Sequence, residues 1–459
     1  LLELTVIVVY LAAMLAVGFL SRRRSKGGSG FFVANRGGSS LLITASLLAT
    51  MMGGSSTIGM AGLGFSWGLT GAWWLLVGTI GLMILGIFFA GRVRKFRVYT
   101  LPGLLEKQYD GRVALAASIL IVIAWIGVTA GQIVAAGKLL SILGFGSISF
   151  WMIVCTVVFV AYTVLGGQYS IIRTDAVQTA LIFFGVFTGL SLMLLHVGGL
   201  GGLAASLPAD HFAFPVSSHL GSGNLITLFI FVGLTYLVGP DMYSRLFCAK
   251  NERVARVSAL ASATLTVPLA LAITFIGMGS RVLFPQILPE QAFPMMMMEM
   301  LPPILNSLVL AALLAAVMSS ADTTLMSAGS ILSLDIIRRL RPSLREERLV
   351  HISRLSIVGF GLLALALALM LKGVITTLLF AYTVYTCGVV CPVIAGFFKD
   401  KLRLAPPAAL LAVVVGGALA VSGLLLGLEW LKLVGFAASA VILMGSSLIC
   451  RKLTVEVKT

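Results

Sequence analysis

The sequence predicts an all-α integral membrane protein with thirteen transmembrane helices, on three grounds. Of its 459 residues, 59% are hydrophobic and only 10% are charged, with a mean hydropathy of +1.08. A soluble domain carries about 25% charged residues, so the solvent for most of this surface is lipid. The apolar runs are about 20 residues long and lack the strict alternation of barrel strands, which makes them helices. Finally, Lys and Arg cluster in alternate connections, the positive-inside pattern.

The predicted spans are 3–20, 41–66, 71–91, 113–140, 148–166, 174–196, 224–246, 254–281, 304–334, 350–371, 375–398, 406–427 and 430–450. The first has no basic stretch before it and is followed by Arg22, Arg23, Arg24 and Lys26, which predicts a retained helix with its N-terminus outside. Segment 197–223 has no Lys or Arg and is expected outside; segment 335–349 is dense in Arg and is expected in the cytoplasm. An odd number of spans then places the basic C-terminus in the cytoplasm of a cell with the protein in its inner or plasma membrane. On this topology 28 of the 32 Lys and Arg residues are cytoplasmic, leaving Lys138, Arg281, Lys372 and Lys432 opposite. The net charge of +16 therefore follows from orientation in a bilayer, without a nucleic-acid partner. Apart from Arg173, the cytoplasmic clusters, including Arg245 to Arg256, read as topology anchors.

Five cysteines, at 155, 248, 387, 391 and 450, lie in or beside spans and predict packing rather than disulfides. None of the four histidines is deep in a span, so no multi-histidine metal site is expected.

Two spans are interrupted at corresponding places. The second carries Met51, Met52, Gly53, Gly54, Ser55, Ser56 and Thr57 at mid-depth, and five spans later 224–246 carries Gly233 and then Gly239-Pro240. Glycine and proline weaken a helix by roughly 1 and 3 kcal/mol per residue. Small residues also let helices approach closely. A matched pair of breaks, one followed by three hydroxyl residues, points instead to an inverted-repeat transporter with its site at the midplane.

Only Asp175 and Asp322 fall well inside predicted spans, and a carboxylate there costs roughly 2.5–3.5 kcal/mol on insertion scales. Asp322 adjoins a helical stripe of Ala316, Ser319, Ser320 and Thr323. Such oxygens suit a hard cation such as sodium, completed by carbonyls freed where a helix unwinds, as after Ala49 and Met52. Asp175 follows Arg173 at a span start; it reads either as half of an interfacial ion pair or as a second cation site or inner gate near Asp322. Gln132, an amide within a span, is a candidate solute or gate contact. Trp74 and Tyr236 are candidates to reach a central cavity, and the remaining tryptophans are belt or packing residues.

At these residues the sequence resembles the sodium:solute symporter family, whose members carry proline, sugars, sialic acid, choline, iodide and vitamins. The likeness rests on the broken helix at 49–57, on Arg173-Thr-Asp175-Ala-Val-Gln178, on Gly239-Pro240 with Arg245, and above all on Ala315-Ala-Val-Met-Ser319-Ser320-Ala-Asp322. It implies a five-plus-five, LeuT-like inverted repeat over 41–196 and 224–398. An extra helix and basic loop at 1–40, an external loop at 197–223, and two C-terminal helices with a short tail at 399–459 complete the chain. It also implies a sodium site from the carbonyls of Ala49, Met52 and Ala316 and the hydroxyls of Ser319 and Ser320. A second sodium, held in some members by the acid matching Asp175 and by the positions of Ser319, Asp322 and Thr323, is implied as an alternative to an inner gate. The solute is not implied: the proline symporters' acid in the broken helix is matched by Met51, and the aromatic preceding the choline transporters' motif by Gly239.

Sodium-coupled import of a small organic solute by alternating access is the expected function, with solute beside Gly53, Gly54, Ser55, Ser56 and Thr57. Backbone amides at that helix start would favour an anionic group. Proton coupling through Asp322 or Asp175 is the competing expectation. A channel lacks its repeated pore loop or charge ring, and an intramembrane enzyme lacks a metal-binding His-Glu-x-x-His or a serine with an in-membrane histidine. The lipid bilayer and a small solute are the expected partners; no obligatory protein partner is implied.

Overall fold

A computed structural model describes residues 2–21, 25, 27–371 and 373–456, with the side chains of 449–456 excluded. The predicted anchors Arg22, Arg23, Arg24, Lys26 and Lys458, together with Lys372, which the sequence reading places on the opposite side, lie outside the described residues, as do the side chains of Cys450, Arg451 and Lys452. The remaining cysteines, Cys155, Cys248, Cys387 and Cys391, are free thiols.

The architecture is all-helical. Eleven helices among the described residues are long and apolar enough to cross a membrane, against thirteen spans read from the sequence. The difference arises at two places. Predicted span 41–66 is divided, so its first half, Ser40–Met51, is a short apolar helix and its second half runs on within Ser55–Lys95. Predicted spans 148–166 and 174–196 form one 50-residue run, Ile148–Val197, broken only by Gly167 at φ 55°, ψ −164°. A side chain is strained at such a φ, and glycine adopts it freely.

Local chemistry sets the helix starts. The side chains of Asp110, Ser147 and Asn251 each accept a backbone N–H of the first turn, satisfying donors that have no partner within the helix. The serine-rich helix, Pro303–Ile331, continues through Leu340, past the predicted end at 334. Asp335, expected near a boundary, is thus buried in helix and accepts a hydrogen bond of 3.0 Å from Thr100 Oγ1.

This helix is the centre of the bundle: 83% of its apolar window is buried, compared with 22% for Trp430–Leu448 and 33% for Leu2–Ser21. It packs against Ile148–Val197, Gly111–Ser141, Leu2–Ser21 and Ser40–Met51. Ser40–Met51 is also tied to Glu252–Leu283, where Ser258 and Ser262 donate to the carbonyls of Ser40 and Thr44 at 3.0 and 2.9 Å. Polar contacts tie the bundle together at both ends. At the basic end, Arg94 Nε donates to the Ala249 carbonyl at 2.5 Å and Arg36 to that of Arg97 at 2.7 Å. At the other end, Glu290 pairs with Lys138 and accepts the Val374 N–H at 3.2 Å.

Candidate cation and solute site

The break after Ser40–Met51 builds the first half of the site. Met52 caps the helix with φ −89°, ψ 57°, and a π-helical turn begins at Ser55. The Gly53 carbonyl collects the chain back, accepting Ser56 N–H, Thr57 N–H and Thr57 Oγ1 at 3.1, 3.0 and 2.9 Å. Glycine is required here by proximity. A β-carbon on Gly53 would lie 2.7 Å from Ser320 Oγ, and one on Gly54 would lie 2.2 Å from Ala135 Cβ.

That close approach brings the serine pair onto the broken helix. Ser319 Oγ lies 2.9 Å from the Ala49 carbonyl and 2.9 Å from the Ala316 carbonyl. Ser320 Oγ donates to the Thr50 carbonyl at 3.0 Å. One hydroxyl hydrogen on Ser319 faces two carbonyls, so acceptor lone pairs outnumber donors in a dry spot. An oxygen cluster of this kind is chemically suited to a hard monovalent cation. Four of the five sequence-predicted oxygen donors, those of Ala49, Ala316, Ser319 and Ser320, are brought together by these bonds. Met52 adjoins them through Gly53. Thr50, which the sequence reading left out, takes Ser320.

One turn further along the serine-rich helix lies a second, charged centre. Thr323 Oγ1 donates to the Ser319 carbonyl at 2.6 Å and lies 3.4 Å from Asp322 Oδ1. Arg245, fully buried, reaches Thr323 Oγ1 and pairs with Asp175 Oδ2 at 3.2 Å. Ser46 donates to the same carboxylate oxygen. Tyr10 and Tyr162 are buried nearby: Gln178 Nε2 donates to Tyr10 Oη at 2.9 Å, and Tyr162 Oη hydrogen-bonds Thr174, next to Asp175 in the chain. Asp175 Oδ1 and Asp322 Oδ2 are buried without hydrogen-bond partners among the described residues. Of these two buried carboxyls only Asp175 pairs with the guanidinium, so with both ionised one further positive charge would balance them.

Two sequence readings are corrected by this cluster. The partner of Asp175 is Arg245, not Arg173. Arg173 turns away to donate to the Tyr169 carbonyl at 3.0 Å, its guanidinium 3.6 Å from the Tyr169 ring centroid. Residues two apart on a helix do not face one another. Nor is Arg245 a topology anchor, since it sits at the core of the site, beyond reach of a headgroup. Ser46 and Tyr10 were missed as well. Their only sequence signal was a polar group in an otherwise apolar helix.

The candidate solute residues gather on the other side of the break. Gln132 Oε1 accepts the Gly54 N–H at 2.8 Å. With Ser56 and Thr57 N–H already engaged by Gly53, three of the amides expected to greet an anionic group are occupied by the protein itself. Ser55, Ser56 and Thr57 are buried, and Ser56 Oγ has no hydrogen-bond partner among the described residues. Tyr236 and Tyr382 are both buried. The Tyr236 ring lies over Gly78, where a β-carbon would be 2.5 Å away, and Trp74 is one turn before Gly78. The second break falls where predicted: Gly239 leaves helical geometry at ψ 134°, and Tyr385 Oη satisfies the Val238 carbonyl at 3.0 Å.

A model of the sodium:solute symporter family matches residues 31–416. The chain belongs to this family. Among curated relatives, mouse sodium/myo-inositol cotransporter 2 is 26% identical over 406 residues, covering 79% of this chain and 60% of the relative. The high-affinity proline transporter PutP of Bacillus subtilis (strain 168) is 28% identical over 337 residues, covering 69% and 70%. The chain thus spans little more than half the length of the mammalian relatives, 52% of the human one. Among solved structures, the substrate-bound outward-open state of a Na+-coupled sialic acid symporter superposes with a TM-score of 0.84 at 19% identity, covering 98% of each chain. MhsT in complex with L-phenylalanine superposes with a TM-score of 0.60 at 17% identity, covering 88% of this chain and 98% of that one. These likenesses establish a shared transporter fold, and all of these relatives are transporters rather than enzymes.

Proposed function

We propose that this symporter-family chain imports a small organic solute together with sodium, by alternating access. The observation that carries the reading is the meeting of Ser319 with the Ala49 and Ala316 carbonyls across the broken helix. Sodium taken into this cage, with Met52 and Ser320 completing it, holds the broken helix against the serine-rich helix. Solute binds beside Gly53 to Thr57, with Gln132, Trp74 and Tyr236 as its side-chain contacts. Rocking of the bundle then opens the basic end, and sodium leaves past Asp175.

The reading carries a topology of thirteen crossings in the cell membrane, N-terminus outside and C-terminus cytoplasmic, with a LeuT-like pair of inverted repeats over 41–196 and 224–398. A potential of 100 mV contributes about 2.3 kcal/mol per charge, and a tenfold sodium gradient about 1.4 kcal/mol. One sodium then supports a solute gradient of roughly five-hundred-fold, and two sodium ions roughly its square.

The surplus carboxylate at Asp175 and Asp322 favours a second bound cation, with Thr323 and Ser319 as further ligands. The same surplus supports a second reading, in which a proton supplies the balancing charge. Uptake of labelled amino acids, monocarboxylates, sugars and choline into proteoliposomes separates the two. Accumulation driven by inward sodium at equal pH supports sodium coupling; accumulation driven by a pH gradient in sodium-free buffer would replace it with proton coupling.

A further inference from the structure

At the basic end, away from the cation and solute site, two cavities meet at one side chain. The first, of about 830 Å³, is lined by Arg92, Lys95, Lys107, Lys399 and Lys401, with Asp400 as its one acid. The second, of about 410 Å³, is an apolar groove lined by Ile394, Ala395, Leu402, Leu443, Met444 and Leu448 among others. Phe398 lines both.

Each cavity has features that call for an occupant. In the basic one, the positive charges of Arg92, Lys95 and Lys399 converge, and an anion entering among them is attracted by all three. Arg92 is held 5.9 Å from the Phe398 ring centroid and Lys399 5.8 Å from that of Tyr109. Gln108, 4% exposed, lines the same cavity, and neither its Oε1 nor its Nε2 has a hydrogen-bond partner among the described residues. A buried amide without partners is costly, and an oxyanion would satisfy its N–H groups. In the apolar groove, Met444 and Leu448 are 69% and 60% exposed, as suits contact with hydrocarbon.

We propose that this composite site binds an anionic phospholipid, with the phosphate among Arg92, Lys95, Lys399 and Gln108 and an acyl chain in the groove behind Phe398. A headgroup anion alone would use the basic cavity and leave the groove unexplained. A neutral lipid would use the groove and bring no anion to Arg92, Lys95 and Lys399. An anionic phospholipid satisfies both, at the end of the bundle where basic residues meet the headgroup layer.

The test compares phosphatidylglycerol, phosphatidylcholine and inorganic phosphate on the detergent-solubilised full chain, reading retained lipid by native mass spectrometry and melting temperature. Retention of phosphatidylglycerol at least tenfold above phosphatidylcholine is expected, with a rise in melting temperature that inorganic phosphate does not reproduce. The Arg92→Gln/Lys95→Gln/Lys399→Gln variant should bring the two lipids to equal retention, and Ala395→Phe should weaken phosphatidylglycerol by filling the groove. Equal retention of the two lipids by the unmodified chain would overturn the proposal. So would stabilisation by inorganic phosphate as large as that by phosphatidylglycerol, which would mark a free-anion site. The unmodified chain decides between these outcomes even where a variant fails to fold.

Discussion

The two polar centres on the serine-rich helix are one turn apart and joined by the Thr323 hydrogen bond, yet they are built on opposite principles. The cage at Ala49, Ala316, Ser319 and Ser320 contains no formal charge; its polarity comes from lone pairs that a broken helix leaves in excess. The cluster at Asp175, Arg245 and Asp322 consists of ionisable side chains, all buried. A neutral cage can be emptied at modest cost, because the Ser319 and Ser320 hydroxyls can donate to the Ala49, Ala316 and Thr50 carbonyls. A charged cluster has no such resting state and depends on the balance among its members. The cage is therefore suited to binding and release, and the cluster to sensing whether a charge is present.

Mutations should separate these roles. The largest effect is expected from Arg245→Met, which leaves two buried carboxylates without their guanidinium. Removing one member of a buried pair costs about 3–5 kcal/mol. A large fall in melting temperature and loss of uptake should follow, and Asp175→Asn in the same chain should restore part of the stability. An Arg245→Met protein as stable as the parent would show that the carboxylates are not ionised together.

Next comes Ser319→Ala. It removes the one side-chain oxygen shared by both halves of the cage, and a hydrogen bond to a charged group is worth about 1.5–3 kcal/mol. The sodium concentration for half-maximal uptake should rise roughly ten- to hundred-fold, while the sodium-free melting temperature changes little. Asp322→Asn should have an intermediate effect, because it removes the surplus charge without a change of shape. On the two-cation reading it lowers the sodium-to-solute charge ratio, measured as net charge moved per solute. An unchanged ratio would confine coupling to the cage. The smallest effect is expected from Gln132→Leu, which frees the Gly54 N–H and costs about 1–3 kcal/mol for an unsatisfied buried donor. Its signature should be a raised solute KM with sodium affinity nearly preserved; an equal loss of both would make Gln132 part of the cage.

What the sequence made legible follows the same division. The cage was readable because its signals are local. Glycine pairs and Gly239-Pro240 announce where helices break, and the Ser319-Ser320 pair sits at helical spacing from Ala316 on one face. The cluster was only half readable. Asp175 and Asp322 stood out as carboxylates in apolar runs, but the partner of Asp175 is 70 residues away, at Arg245. The nearer Arg173 looked the obvious choice, although a helix turns it to another side. Arg245 stands with Gly239-Pro240 in the family likeness but counts among the basic residues that mark a membrane face, since composition does not distinguish an arginine folded inward from one at the surface. The long run Ile148–Val197 shows the same limit for the fold: hydropathy located its two halves, but the junction depends on the backbone of Gly167.

The central claim is that sodium binds at the oxygens shared by the broken helix and the serine-rich helix, and equilibrium binding of radioactive sodium to purified protein tests it most directly. A ligand at a hundred times its Kd stabilises the native state by about 2.7 kcal/mol, so sodium should also raise the melting temperature in the same preparation. The account predicts saturable sodium binding that is lost, together with this thermal shift, in Ser319→Ala. Saturable binding and a thermal shift that survive Ser319→Ala and Ser320→Ala together would contradict it.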